Sequence, residues 1–153
     1  MLRLSKKADY ALMAMKHLAL RGDRESSSAR EIAGLYDIPI ELLAKVLQRL
    51  VRGGLLASQQ GTRGGYQLAR VPTSISVADV IQAIDGPVAV TACSSSDDGS
   101  CEQYAKCNVR DPLWKVRQRI LAALGECTIA ELAADVQPAP ITVTRPAVLH
   151  THL

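Results

Sequence analysis

No apolar run in the 153-residue chain approaches the roughly 18 residues that a membrane span requires, so no membrane partner is expected. The basic start, Met1-Leu-Arg-Leu-Ser-Lys-Lys, is followed by neither an unbroken apolar segment nor a small-residue cleavage site. No secretory signal is therefore expected, and the predicted compartment is the cytoplasm. There is no internal repeat. With 48% hydrophobic and 22% charged residues, the composition rules out a wholly disordered or fibrous chain. What remains is a globular protein of one domain of ordinary size, or of one domain carrying a short appendage.

Charge is unevenly placed. Residues 1–70 hold 12 Lys and Arg against 6 Asp and Glu, whereas residues 71–153 hold 6 against 9. The basic half is a candidate polyanion-binding module, although an ordinary solvated surface gives the same balance.

Helical spacing accounts for much of that half. Ser5 is placed to cap a run whose apolar positions are Ala8, Leu12, Met15, Leu18 and Ala19, with Arg21-Gly22 as the stop. Ser28-Ala-Arg-Glu31 reads as a capping box opening a short helix that ends near Tyr36. Pro39 suits the first position of a third helix, which stops at Gly53-Gly54. That helix is two-faced: Leu43, Val46, Leu47 and Leu50 form an apolar stripe, opposite Glu41, Lys45, Gln48 and Arg52.

Two extended segments follow, Leu55 to Gln59 and Tyr66 to Arg70, joined by Gln60-Gly-Thr-Arg-Gly-Gly65. Three glycines and an arginine describe a hairpin with a cationic tip. The order predicts a mainly α fold with a small β-hairpin, a winged helix-turn-helix over 1–70. The third helix suits a major groove and Arg63 a phosphate or minor groove. Gly-x-x-Gly-Gly lacks the Lys-Ser/Thr of a phosphate-binding P-loop and opens no helix, so a nucleotide site is not supported.

Beyond a Val71-Pro-Thr connector, Ser76 caps a helix through Ile84 with Asp79 in its first turn, and Gly86-Pro87 closes it. Residues 88–110 read as a polar loop. Asp111 as cap and Pro112 in the first turn open a long helix with Leu113, Val116, Ile120 and Leu124 on one side. Thr128-Ile-Ala-Glu131 is a last capping box, and residues 136–153, with Pro138, Pro140 and Pro146, read as a mobile tail.

The 88–110 loop carries Cys93, Cys101 and Cys107 in a Cys-x7-Cys-x5-Cys pattern. In a cytosolic chain such thiols point to metal or thiol chemistry rather than disulfides, and three soft donors on one loop suit an iron-sulfur cluster. The spacing lacks the Cys-x2-Cys knuckle of structural zinc sites. Cys127 stands apart and reads as a structural or spare thiol. The loop contains no histidine; His17 reads as packed, and His150 and His152 as solvated tail residues. A fourth donor must come from elsewhere.

Leu2-Arg-Leu-Ser-Lys-Lys-Ala-Asp-Tyr-Ala-Leu, Leu47-Gln-Arg-Leu-Val-Arg-Gly-Gly-Leu, Gly61-Thr-Arg-Gly-Gly-Tyr-Gln-Leu-Ala-Arg, Val80-Ile-Gln-Ala-Ile-Asp-Gly and the three cysteines occur in this order. Together they resemble the iron-sulfur-responsive winged-helix repressors, a family of cluster-assembly regulators, nitric oxide sensors and SUF operon regulators. The resemblance covers residues 1 to about 135. It implies a homodimer held by the helix near Asp111 to Gly125, with 71–135 as the cluster-binding and dimerisation region. Cys93, Cys101 and Cys107 are then metal ligands. Where the cluster-assembly pattern carries a histidine, this chain has Arg110. In the nitric oxide sensor pattern an Asp in the other subunit's first helix completes the site, and Asp9 matches it. Read from its position alone, Asp9 instead complements the N-terminus of its own helix.

The resemblance implies a 4Fe-4S cluster by analogy with the nitric oxide sensors and leaves 2Fe-2S open. The partner expected is a double-stranded DNA operator, with no small-molecule substrate and no enzymatic activity. Glu41, Ala44, Lys45 and Gln48 are assigned to base edges, and Arg52, Arg63 and Lys6 or Lys7 to phosphates. Ser28, Arg30, Gln60, Thr62 and Gly64 complete the expected DNA-contacting set. The function expected is cluster-sensing repression of iron-sulfur assembly genes. Alternatives are a nitric oxide or redox-stress sensor of the same family, a small electron-transfer protein, and a DNA-binding protein with structural zinc.

Overall fold

Residues 3–22, 25–91 and 101–134 are described by a computed structural model; Cys93 and the tail expected from residue 136 lie outside them. Ser5 begins the first helix, α1 (Lys6–Arg21), by accepting a hydrogen bond from the Ala8 N–H. Ala8, Ala11, Ala14, Met15 and Leu18 of α1 are buried. The expected stripe is shifted toward Ala11 and Ala14, because α1 packs against several other helices and small side chains let them approach; Leu12 and Ala19 are only half-buried.

Helix α2 (Ala29–Leu35) is capped by the Ser28 hydroxyl, but only half of the expected capping box forms. Glu31 pairs instead with Arg21, because a guanidinium is a stronger partner for a carboxylate than a neutral backbone amide. α2 ends in a Schellman arrangement: Asp37 takes a left-handed φ of 53° and the Ile38 N–H reaches the Ala33 carbonyl at 3.0 Å. Asp tolerates that conformation better than most residues. Pro39 then occupies the cap position of α3 (Ile40–Arg52), one residue before its expected place. Leu43, Val46, Leu47 and Leu50 are buried as their spacing predicts. α3 stops in a second Schellman arrangement, with Gly54 at φ 74° and Leu55 N–H to Leu50 O at 3.0 Å.

The hairpin pairs β1 (Leu56–Gln59) with β2 (Gly65–Leu68) antiparallel, Leu56 opposite Leu68 and Gln59 opposite Gly65. On its other side Tyr66 exchanges both backbone hydrogen bonds with Ser27, at 2.8 and 3.0 Å. The segment before α2 thus fastens the wing to the body.

After a 3₁₀ turn at Pro72–Ser74, Ser76 and Asp79 form a complete capping box at the head of α4 (Val77–Asp85). Thr128 and Glu131 do the same for α6 (Ile129–Ala133). Ile75, Val80 and Ile84, with Ile129, join the same core as α1 and α3. Among the described residues no helix is long and apolar enough to cross a membrane.

Helix α5 (Arg110–Glu126) departs from expectation at its start. Val109 stands at the cap without a side-chain bond, and Asp111 lies inside the first turn, bound by Arg110 Nε at 3.2 Å. Pro112 is accommodated there because a first-turn residue needs no N–H partner. The inward stripe runs through Leu113, Arg117, Ile120, Leu121 and Leu124, all half-buried, while Val116 is exposed. None of the 17 residues of α5 is fully buried, and Trp114 is 54% exposed.

His17 is packed, as expected. Its Nδ1 lies 3.1 Å from the Tyr36 hydroxyl and its Nε2 3.2 Å from Ser27 Oγ, joining α1, the end of α2 and the strand that holds the wing. Burial, and then the Arg21 charge, push its pKa below the usual imidazole value against the opposing pull of Glu31. Above about pH 6.5 the ring is neutral in folded and unfolded chains alike. As the pH falls below that value the unfolded chain takes up a proton that folded His17 resists, so stability declines. Denaturant titrations from pH 7.5 to 5 should show this decline, and His17→Gln should flatten the imidazole contribution.

Candidate functional site

Burial of the α3 leucine stripe turns Glu41, Lys45, Gln48, Arg49 and Arg52 outward, with Ala44 half-buried beside them. Glu41 lies in the first turn, and Arg49 and Arg52 in the last, the placement that complements the helix dipole. This face is an exposed, predominantly cationic ridge.

At the wing, Gly61 has a φ of 116° and its carbonyl receives the Gly64 N–H at 2.9 Å, closing a tight tip. Gln60, Thr62 and Arg63 are exposed on that tip. Ser26 Oγ donates to the Arg63 carbonyl at 3.0 Å, so the backbone bearing the arginine is held while its guanidinium remains in solvent. Thr62, Arg63, Gly64 and Ser28 line one open polar cleft of about 570 Å³ together with Arg21, Glu25 and Glu31. Ser28 is already committed as the cap of α2, whereas Arg30 is exposed on that helix. Lys6 and Lys7 lie at the opposite end of α1 from Arg21, so the structure does not bring them to the wing cleft.

Cys101 and Cys107 are described, and neither lines that cleft. The Tyr104 N–H donates to the Cys101 carbonyl at 2.9 Å, starting a 3₁₀ turn at Tyr104–Lys106 that leads to Cys107. Both thiols are free and half-buried. Arg110 lies over the Tyr104 ring at 4.6 Å and reaches the Tyr104 carbonyl at 3.4 Å, tying this turn to the head of α5. Asp9 stands in the first turn of α1, its side chain 45% exposed and 4.0 Å from Lys6 Nζ. Among the described residues no three His, Cys, Asp or Glu side chains gather as a metal site; Cys93 is not among them. Cys127 caps α5, and burial followed by Glu131 raises its thiol pKa, which makes it a poorer nucleophile or ligand than an ordinary cysteine.

Sequence reasoning missed the Ser27 to Tyr66 pairing, Arg21 in the wing cleft, and the Arg49 Nη1 hydrogen bond to the Ile84 carbonyl at 2.8 Å. Three consecutive serines carry no strand periodicity, and Arg49 on a polar face looks like any surface charge. The one legible signal was Gly65, whose absent Cβ admits the Ser27 backbone.

The Rrf2 family model, described as an iron-dependent transcriptional regulator, matches residues 4–135. A helix-turn-helix transcriptional regulator of Mycobacterium tuberculosis is 33% identical over 138 residues, covering 90% of this chain and 84% of that one. The regulator IscR of Escherichia coli is 30% identical over 152 residues, covering 99% of this chain and 90% of its own. Among solved structures, CymR, the global cysteine regulator of B. subtilis, superposes with a TM-score of 0.71 at 28% identity, covering 90% of this chain and all of that one. IscR of T. potens gives 0.69 at 28% identity, covering 92% of each.

Proposed function

The chain belongs to the Rrf2 family of helix-turn-helix transcriptional regulators, and on that premise we propose that it senses iron-sulfur cluster status and represses cluster-assembly genes. The carrying observation is the pair of free, half-buried thiols Cys101 and Cys107 on one short turn, in sequence reach of Cys93. The donor set fits such a group: cysteine thiolates, ordinarily four, hold iron-sulfur clusters, and here three thiolates with a carboxylate would leave one harder, more exchangeable position. Cys93, Cys101 and Cys107 would hold a cluster, 4Fe-4S by preference and 2Fe-2S otherwise, with Asp9 of a second copy completing it. When bound, the cluster would supply redox- and nitric-oxide-sensitive iron chemistry.

The chain's own residues do the rest. α5 has no fully buried residue and leaves Trp114 exposed, surface that a homodimer through α5 would cover. In that dimer two α3 ridges would enter successive major grooves of an operator, with Glu41, Ala44, Lys45 and Gln48 toward base edges. Arg52, Arg63 and Arg30 would bind phosphates, with Ser28, Gln60, Thr62 and Gly64 alongside.

An anaerobic visible spectrum after reconstitution with iron and sulfide tests this reading. The wild type should be brown, Cys101→Ala and Cys107→Ala colourless, and Asp9→Ala brown but faster to bleach in air. A colourless wild type would overturn it. A second reading, thiol-based sensing without iron, draws on the free Cys101 and Cys107 and on the fold shared with CymR. It requires DNA affinity that responds to thiol oxidation in colourless protein.

A further inference from the structure

Four helices meet at the point where the chain leaves α4 for the cysteine loop. Arg49, in the last turn of α3, donates through Nη1 to the Ile84 carbonyl at 2.8 Å in a partly buried contact. The C-terminal carbonyls of α4 have no partner within the helix, and a guanidinium there both satisfies one of them and complements the dipole. One residue on, Asp85 Oδ1 receives the Ser5 hydroxyl proton at 2.7 Å. The same Ser5 oxygen accepts the Ala8 N–H as the cap of α1, one turn before Asp9. Three residues further, the Val88 carbonyl accepts from Arg117 Nε of α5 at 3.3 Å. Gly53, which follows α3, also lies so close to α4 that an added Cβ would stand 3.1 Å from the Ala83 Cβ.

We infer that Arg49 is a positioning residue that couples the cysteine loop to the recognition helix, by tying the last turn of α3 to the α4 terminus from which the loop departs. Arg49 shares the exposed face of α3 and would otherwise be counted as another phosphate contact. Its hydrogen bond to Ile84 instead directs the guanidinium at the protein's own backbone. Loading of the cysteines would act on the body through the residues that follow α4, and among Ile84, Asp85 and Val88 it is Ile84 that is fastened to α3. Transmission through a contiguous hydrogen-bonded junction of this kind requires that the loop and the helix both favour one arrangement of it.

This inference rests on the cluster-sensing reading, and the two fail differently. Anaerobic binding would be measured for metal-free protein and for protein reconstituted with iron and sulfide, on a duplex selected by the wild type from a random-sequence library. The wild-type affinity ratio between the two forms should be at least about fivefold, the lower end of usual allosteric couplings. Arg49→Met should bring that ratio close to one while leaving the visible spectrum unchanged. Arg49→Lys, which keeps a cationic donor, should restore part of it. Loss of affinity in both forms with an unaltered ratio would make Arg49 a DNA contact or a structural residue and overturn the inference. A brown wild type with no difference between forms would overturn it too. A colourless wild type would remove the sensing reading itself, and the inference with it.

Discussion

Leu47→Ala should lower the unfolding free energy by about 2–5 kcal/mol, the range for a fully buried leucine whose cavity the surroundings only partly fill. Leu47 is 0% exposed and lies in the stripe that seats α3 on the core shared with α1 and α2. Total stabilities of small domains are about 5–15 kcal/mol, so this loss is a large part of the whole. Urea titration should show a lower midpoint, and DNA affinity should fall with it because the cationic ridge is the other face of the same helix. Lys45→Ala provides the contrast. Lys45 is exposed, so its loss should leave the unfolding free energy within about 0.5 kcal/mol of the wild-type value while weakening operator binding. Equal stability losses from the two variants would contradict the two-faced assignment of α3.

Gly65→Ala should release the wing. A Cβ at Gly65 would stand 2.6 Å from both the carbonyl carbon and oxygen of Ser27, and these are backbone atoms that no rotamer change can move aside. The two hydrogen bonds between Ser27 and Tyr66 would have to open, and Arg63 would lose its fixed position at the tip. The expected stability cost is about 1–3 kcal/mol, typical of overpacking. The expected binding phenotype is a loss of affinity with a shallower salt dependence, because a displaced tip makes fewer phosphate contacts. Full wild-type affinity in Gly65→Ala would show that the wing needs no anchor at Ser27.

Local chemistry made the helices legible. Ser5, Ser76 with Asp79, and Thr128 with Glu131 each cap as their side chains allow, and the period of Leu43, Val46, Leu47 and Leu50 places α3 correctly. The errors arose where an ion pair, distant for Glu31 and adjacent for Asp111, took the carboxylate from the expected cap. Glu31 left its capping box for Arg21, and Asp111 was drawn to Arg110 instead of capping α5. Val116 fits a helical stripe by spacing yet faces solvent, because α5 meets only part of the body and leaves the remaining side free. The recognition ridge and the wing tip were readable because each is continuous in sequence. The Ser27 to Tyr66 and Arg49 to Ile84 links join positions 39 and 35 residues apart, and each ends on a backbone atom, which carries no signature of residue type. The cysteine pattern is legible in the sequence alone, whereas the proposed roles of the cysteines and of Asp9 rest on the family resemblance.

The central claim is that loading of the cysteine loop changes how the two-faced helix binds DNA. It is tested most directly by one pair of titrations on a selected operator duplex, metal-free against iron-sulfide-reconstituted protein, run anaerobically at two salt concentrations. The affinities should differ by at least about fivefold between forms at both salts, with both falling as salt rises. Identical affinities for a brown, reconstituted protein and its metal-free form would contradict that claim.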